Sequence, residues 1–207
     1  MATISLQKGQ KIDLTKGNPG LSKILVGLGW DEVAAKPKSG GILGSLFGGG
    51  SSASAAIDCD ASAILLDSQG KLTNKNRLVY FGNLQSGDQS VKHSGDNLTG
   101  AGEGDDEQIQ VDLSKVPSDI QKIVFVVNIY DCVKRKQDFG LIANAFIRVV
   151  NSVNEQEFCR FNLSENYAGK TSLVVAEVYR HNNEWKFPAI GEGTNDGSLS
   201  ELVRRYQ

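Results

Sequence analysis

Short runs of β-branched and apolar residues, separated by glycine, asparagine and aspartate, recur along the whole chain. Such runs predict strands, here at 23–28, 57–66, 77–81, 108–113, 122–130, 145–150, 158–163, 173–179 and 184–190. Gln108-Ile-Gln-Val-Asp-Leu113 alternates and predicts one apolar face. Ile123-Val-Phe-Val-Val127 is continuous and predicts a central strand buried on both faces. Turns are expected at Asp67-Ser-Gln-Gly70 and His181-Asn-Asn183, the second closing a hairpin. Helix is sparse. A single turn is expected at 141–144, and a C-terminal helix at 198–206 with Ser198 or Ser200 as its N-cap. Nothing alternates strand with long helix, so the pattern predicts an all-β chain, a two-sheet β-sandwich with one or two short helices.

The 207 residues suit a single domain, 1–207, with a core supported by 40% hydrophobic content. One segment departs from the strand pattern. Residues 36–55 are dense in Gly and Ser and predict a flexible insertion rather than a packed element. Its apolar stretch Ile42-Leu-Gly-Ser-Leu-Phe47 leaves a docking peptide as the alternative to a bland loop. The net charge of −2 argues against nucleic acid as a partner, because phosphate binding needs a basic face. Lys134-Arg135-Lys136 reads as a solvated loop beside Asp131 and Asp138.

Cys59, Cys132 and Cys159 are far apart and form no CxxC pattern. The start of the chain has no basic-then-apolar secretory pattern, and the apolar run 123–127 is far too short to span a bilayer. A cytoplasmic protein with no transmembrane segment is expected. In that compartment the cysteines are expected to be small core residues rather than reactive groups.

The chemistry concentrates in Gly95-Asp-Asn-Leu-Thr-Gly-Ala-Gly-Glu-Gly-Asp-Asp-Glu107. Between Asp96 and Glu107 it holds five carboxylates, three glycines and no basic residue. Two unit charges about 4 Å apart repel by roughly 1 kcal/mol in water, and by several times that near a low-dielectric surface. Holding these groups together therefore needs a cation or wide splaying into solvent. Carboxylates, together with carbonyls that the glycines at 100, 102 and 104 let turn inward, are hard oxygen ligands suited to calcium. Asp58 and Asp60 are spaced to share one face of a strand, and Asp31 ends the run Leu25-Val-Gly-Leu-Gly-Trp30. The loop is not an EF-hand, since Leu98 and Gly100 stand where ligand side chains belong. From these residues alone, a metal site and a solvated polar loop both remain open.

Enzyme patterns are missing, and no enzyme is expected. His181 falls in a hairpin turn, and His93 is expected at a solvent-facing strand position, so zinc is not indicated. Gly169-Lys-Thr171 lacks the leading glycine of a P-loop, Gly191-Glu-Gly193 is too short to suggest a nucleotide, and no GxSxG occurs. The alternative to a binding module is a metal-dependent hydrolase of a phosphate ester built on the clustered carboxylates.

Three segments, Leu25-Val-Gly-Leu-Gly-Trp-Asp31, Asp58-Cys-Asp-Ala-Ser-Ala63 and 95–107, resemble the acidic signatures of the TerD family of bacterial tellurite-resistance and general-stress proteins. The similarity continues through 122–127, 145–151 and Tyr179-Arg-His-Asn-Asn-Glu-Trp-Lys-Phe187. It implies a β-sandwich that binds one or two Ca2+ ions with loops gathered at one end. Carried over by position, it gives Asp31, Asp58, Asp60, Asp96, Asn97, Glu103, Asp105, Asp106 and Glu107 as side-chain ligands. Gly100 and Gly102 would offer carbonyls. It implies work alongside other proteins of the tellurite-resistance system, some at the membrane, at whose inner face the chain would be peripheral. The insertion at 36–55 makes the link between the first two signatures longer than is typical, which would mark a subgroup.

Overall fold

The computed structural model describes residues 3–33, 57–95, 104–163 and 165–207. The strands are β1 (Ile4–Leu6), β2 (Lys11–Asp13), β3 (Lys23–Glu32), β4 (Cys59–Leu66), β5 (Leu78–Val79), β6 (Val91–His93), β7 (Glu107–Asp112) and β8 (Lys122–Ile129). A short helix α1 (Cys132–Arg135) precedes β9 (Ile142–Asn151), β10 (Glu157–Asn162), β11 (Ser172–His181), β12 (Glu184–Thr194) and the C-terminal α2 (Leu199–Val203). They form two six-stranded sheets, ordered β1-β10-β9-β3-β7-β6 and β2-β12-β11-β8-β4-β5. The expected all-β sandwich is what the chain forms.

Alternation decides which side chains fill the space between the sheets. Ile24, Val26, Leu28 and Trp30 of β3 meet Cys59, Ala61, Ala63 and Leu65 of β4, with Phe125 and Val127 of β8 and Val175 of β11. The opposite faces of β4, β8 and β11 are apolar too. There Ile64, Leu66, Val124, Val126 and Val174 pack under Leu202 and Val203 of α2, a second cluster outside the sandwich. The continuous run at 123–127 is thus buried twice, once by the facing sheet and once by the helix. Ser198 caps that helix, its side chain accepting from the Glu201 amide.

Several boundaries differ from expectation. β1, β2 and β6 have three residues each, too few to carry a readable period. The expected strand at 77–81 shrinks to the two residues of β5, preceded by a 3-10 turn at Lys75–Arg77. The turn placed at 141–144 comes earlier, at Phe139–Leu141, and β9 starts at Ile142. Lys134 and Arg135 lie in α1 rather than in a plain loop. In the β11–β12 hairpin His181 pairs with Glu184, and Asn182 and Asn183 take positive φ of 51° and 62°, as a tight turn of this hand requires.

Topology brings the acidic segments to one end. β3 runs antiparallel to β7 with Leu28 opposite Glu107, and β4 antiparallel to β8 with Cys59 opposite Ile129. Across the 34–56 segment, the side chain of Glu32 accepts from the Ile57 amide at 2.6 Å, holding the end of β3 beside the start of β4. The insertion therefore leaves the first two acidic segments side by side.

Leu202 is fully buried in the second cluster. Leu202→Ala is expected to lower stability by about 2–4 kcal/mol, read from the shift of a urea unfolding midpoint.

Candidate metal centre

The glycines of Leu25-Val-Gly-Leu-Gly-Trp30 are where the acidic segment lands on the sheet. Gly27 and Gly29 share the outward face of β3. A Cβ on Gly27 would sit 2.2 Å from the Asp105 carboxylate, and one on Gly29 2.6 Å from the Gly104 carbonyl. Any side chain at either position would lift the segment off the strand.

Asp105, Asp106 and Glu107 then part in three directions. Asp105 lies flat over Gly27 with its side chain fully buried. Arg148 grips it with a fork, Nε donating to Oδ1 at 2.7 Å and an Nη donating to Oδ2 at 3.0 Å, while the Gln108 amide donates to Oδ2 at 3.1 Å. The strong bond to Asp105, with help from Glu157, holds the Arg148 pKa above its usual range. Asp105, expected as a cation ligand, has both oxygens engaged in this anchor.

Asp106 turns to the end of the sandwich. Its amide donates to the Leu28 carbonyl at 2.8 Å and its carboxylate accepts from the Trp30 amide at 2.7 Å. Burial pushes its pKa up; the Trp30 amide opposes this, and the charges of Asp31 and Asp105 add to it.

Glu107 points between the sheets and is 1% exposed. Its Oε2 accepts from the Ala61 amide at 2.6 Å and lies 3.3 Å from His93 Nε2. His93 Nε2 also stands 3.1 Å from the Ala61 carbonyl, and its Nδ1 accepts from the Gly95 amide at 3.0 Å. That last bond makes Nδ1 an acceptor and leaves Nε2–H for Glu107 and Ala61. Burial lowers the His93 pKa, but the Glu107 hydrogen bond and charge, the Ala61 carbonyl and Asp60 outweigh it and hold it above the ordinary value. β5 covers only Ala63 and Ile64 of β4. At Ala61 the side chains of Glu107 and His93 therefore take the place of a neighbouring strand. This corrects the expectation for His93, which is buried and bonded rather than solvent-facing.

The remaining acids gather next to this bridge. Asp60 is 4% exposed and accepts a long bond, 3.4 Å, from the side-chain amide of Asn128, its partner across β4 and β8. The other amide atom, Asn128 Oδ1, is buried with no hydrogen-bond partner among the described residues. Asp58 precedes β4, with Arg135 at 3.9 Å, and its carbonyl accepts from the Tyr130 amide. Asp31 is exposed and accepts from Asn144 at 2.8 Å. The convergence is felt at the Cys59 thiol. Burial raises its pKa well above the ordinary value, and Asp60, Asp58, Glu107 and Asp106 each raise it further.

This donor set fits calcium better than zinc. Its groups are hard oxygens, the adjacent thiol is held protonated, and the adjacent imidazole is already bonded. Asp58, Asp60 and Asp106, with Asn128 as a neutral oxygen and Asp31 at the margin, are the described side chains that would offer oxygens to such an ion. Among the described residues no three His, Cys, Asp or Glu side chains stand close enough to hold an ion unaided. Asp96, Asn97, Gly100, Gly102 and Glu103 lie outside the described residues.

The TerD domain model matches residues 1–206. The chain belongs to the TerD family. It is 60% identical to the stress response protein SCP2 of Bacillus subtilis over 98% of each chain, and 49% identical to general stress protein 16U of the same organism over 99% of this chain and 97% of that one. Identity to the tellurium resistance protein TerD of Serratia marcescens is 42%, again over 99% and 97%. Among solved structures, a TerD homologue from Streptomyces coelicolor superposes with a TM-score of 0.66 at 19% identity, covering 91% of this chain and 99% of the other, which supports the fold.

Arg148, Gln108, His93, Gly27, Gly29 and Asn128 were not singled out as members of the TerD site by the acidic signatures. Two changes separate anchoring from ligation. Gly27→Ala forces Asp105 aside and is expected to lower stability by about 1–3 kcal/mol in excess chelator, measured by urea unfolding. Glu107→Ala leaves the Ala61 amide and His93 without their acceptor and is expected to cost about 2–4 kcal/mol in the same chelator solution. A loss seen for Glu107→Ala only when calcium is present would show that its role is ligation.

Proposed function

We propose that this TerD protein is a calcium-binding module of a bacterial stress and tellurite-resistance system, working in the cytoplasm through calcium-dependent ordering and contact with other proteins of that system. The supporting observation is the meeting of two separate acidic segments, Asp58 and Asp60 with Asp106 and Glu107, around the buried Cys59 thiol, with Asp31 adding its charge at Asp106. Relatives named for stress response and tellurium resistance give the biological setting. In this reading Asp58, Asp60 and Asp106 hold the ion, with oxygens from the 96–103 segment completing its shell. When bound, calcium supplies two positive charges that offset carboxylate repulsion. Asp106 transmits its position to β3 through the Trp30 and Leu28 backbone. Asp58 transmits its own to α1 through the Tyr130 amide.

The hydrolase alternative requires a proton donor beside the carboxylates. His93 has Nδ1 on Gly95 and Nε2 on Glu107 and Ala61. No observation favours that reading.

The test is isothermal titration of chelator-treated protein with calcium. Saturable binding is expected, weakened at least about tenfold in Asp58→Ala/Asp60→Ala. Calcium at a hundred times its Kd should then stabilise the wild type by about 2.7 kcal/mol in thermal unfolding. Absence of saturable binding in the wild type would remove the proposal.

A further inference from the structure

Exposed apolar side chains collect beside the acidic end. Val133 on α1 is 75% exposed and Tyr130, just before it, 47%. Val33 and Leu141, at 50% and 44%, adjoin each other through the Val33 amide, which donates to the Leu141 carbonyl. Around Val133 stand Lys134, with 84% of its side chain exposed, Arg135, stacked 5.2 Å from the Tyr130 ring centre, and Lys136. Within 130–136, three basic side chains face one acid, Asp131, a local charge of +2 on a chain whose net charge is −2.

The backbone presents this group deliberately. Asp131 and Lys136 flank α1 with φ of 52° and 53°, left-handed conformations that disfavour residues other than glycine. They bracket a single helical turn in which Cys132 is buried and Val133 exposed. A valine followed by two lysines and an arginine stacked on a tyrosine suits the boundary of an anionic bilayer. The apolar groups would enter the acyl margin, the ring would sit at headgroup level, and the basic groups would meet phosphates.

The carboxylates next to this turn oppose such a contact while they are charged. Asp131 is 3.6 Å from Lys134, Asp58 is 3.9 Å from Arg135, and Asp138 and Glu201 lie on adjoining segments. We infer that the Tyr130–Lys136 turn is a docking element for an anionic lipid surface, engaged when calcium occupies the adjacent carboxylates. This rests on the calcium reading above and adds the surface on which it acts. Neutralising Asp58 would release Arg135 toward the headgroups and leave the turn's positive charge unopposed at the tip.

The experiment is cosedimentation with vesicles of phosphatidylglycerol and phosphatidylcholine, or of phosphatidylcholine alone, in calcium or in chelator. Val133→Ser and Lys134→Ser/Lys136→Ser are run alongside, with circular dichroism for fold and calcium titration for the ion. Wild-type protein is expected on the anionic vesicles in calcium, at least about tenfold more weakly in chelator or on neutral lipid. Both variants should bind the anionic vesicles at least about tenfold more weakly while retaining fold and calcium affinity. Several results would overturn the inference without touching calcium binding. These are calcium uptake without vesicle binding, equal binding by the variants, wild-type binding that ignores chelator, or capture of an acidic protein through Val133 in place of lipid. Absence of calcium uptake in the titration would instead bring down the underlying reading, and this inference with it.

Discussion

The carboxylate of Glu107 crosses from β7 in one sheet to the Ala61 amide of β4 in the other, with His93 bonded to both partners. Charges taken out of water carry a penalty of several kcal/mol each unless hydrogen bonds replace hydration. Here the Ala61 amide and the His93 imidazole provide that replacement. The bridge also sets the spacing of the sheets at their acidic end, because one glutamate side chain spans the gap.

The neighbours of Glu107 show how a dense run of charge is made compatible with packing. In a regular strand, residues 105 and 107 would share a face. They do not, because β7 begins only at Glu107 and Gly104 bends the chain before it with φ of 112°. Asp105 is thereby turned to the outer face, where Arg148 neutralises it, while Asp106 stays at the end of the sandwich. The stretch separates its own like charges using the bend, a guanidinium and an imidazole. What remains concentrated is the group around Cys59.

This division of labour explains which parts of the structure could be read from the sequence. Strands of six or more residues carry a period, so β3, β4 and β7–β12 were visible, whereas three-residue β1, β2 and β6 were not. The acids were visible as a set, because charge density is a local property. Their separate roles depend on contacts distant in sequence: Arg148 lies 43 residues beyond Asp105, and Ala61 46 before Glu107. Signals were nevertheless present. Gly27 and Gly29, spaced by two within an apolar strand, mark a face that something approaches closely. Arg148, alone among the apolar residues of Ala145-Phe-Ile-Arg-Val-Val150, implies a buried anion. His93 looked solvent-facing because β6 is too short to show which of its faces is inward.

The remaining step concerns how an event at the carboxylates reaches the rest of the molecule. The contacts at this end are largely side chain to backbone: Glu32 to Ile57, Asp106 to Trp30, Glu107 to Ala61. Hydrogen bonds to charged groups are worth about 1.5–3 kcal/mol each, more than neutral ones. A change in the charge balance at one carboxylate therefore acts directly on the strand ends rather than on side-chain rotamers alone. The Asp58 carbonyl is bonded to Tyr130, the residue that leads into the strained turn of α1. A turn already held in left-handed conformations at both ends is poised to respond to small changes in its support. The acidic end and α1 are joined by the Tyr130 amide bond to the Asp58 carbonyl and by the Asp58–Arg135 ion pair. Charge gathered by three distant segments is thereby coupled to a surface that none of those segments forms.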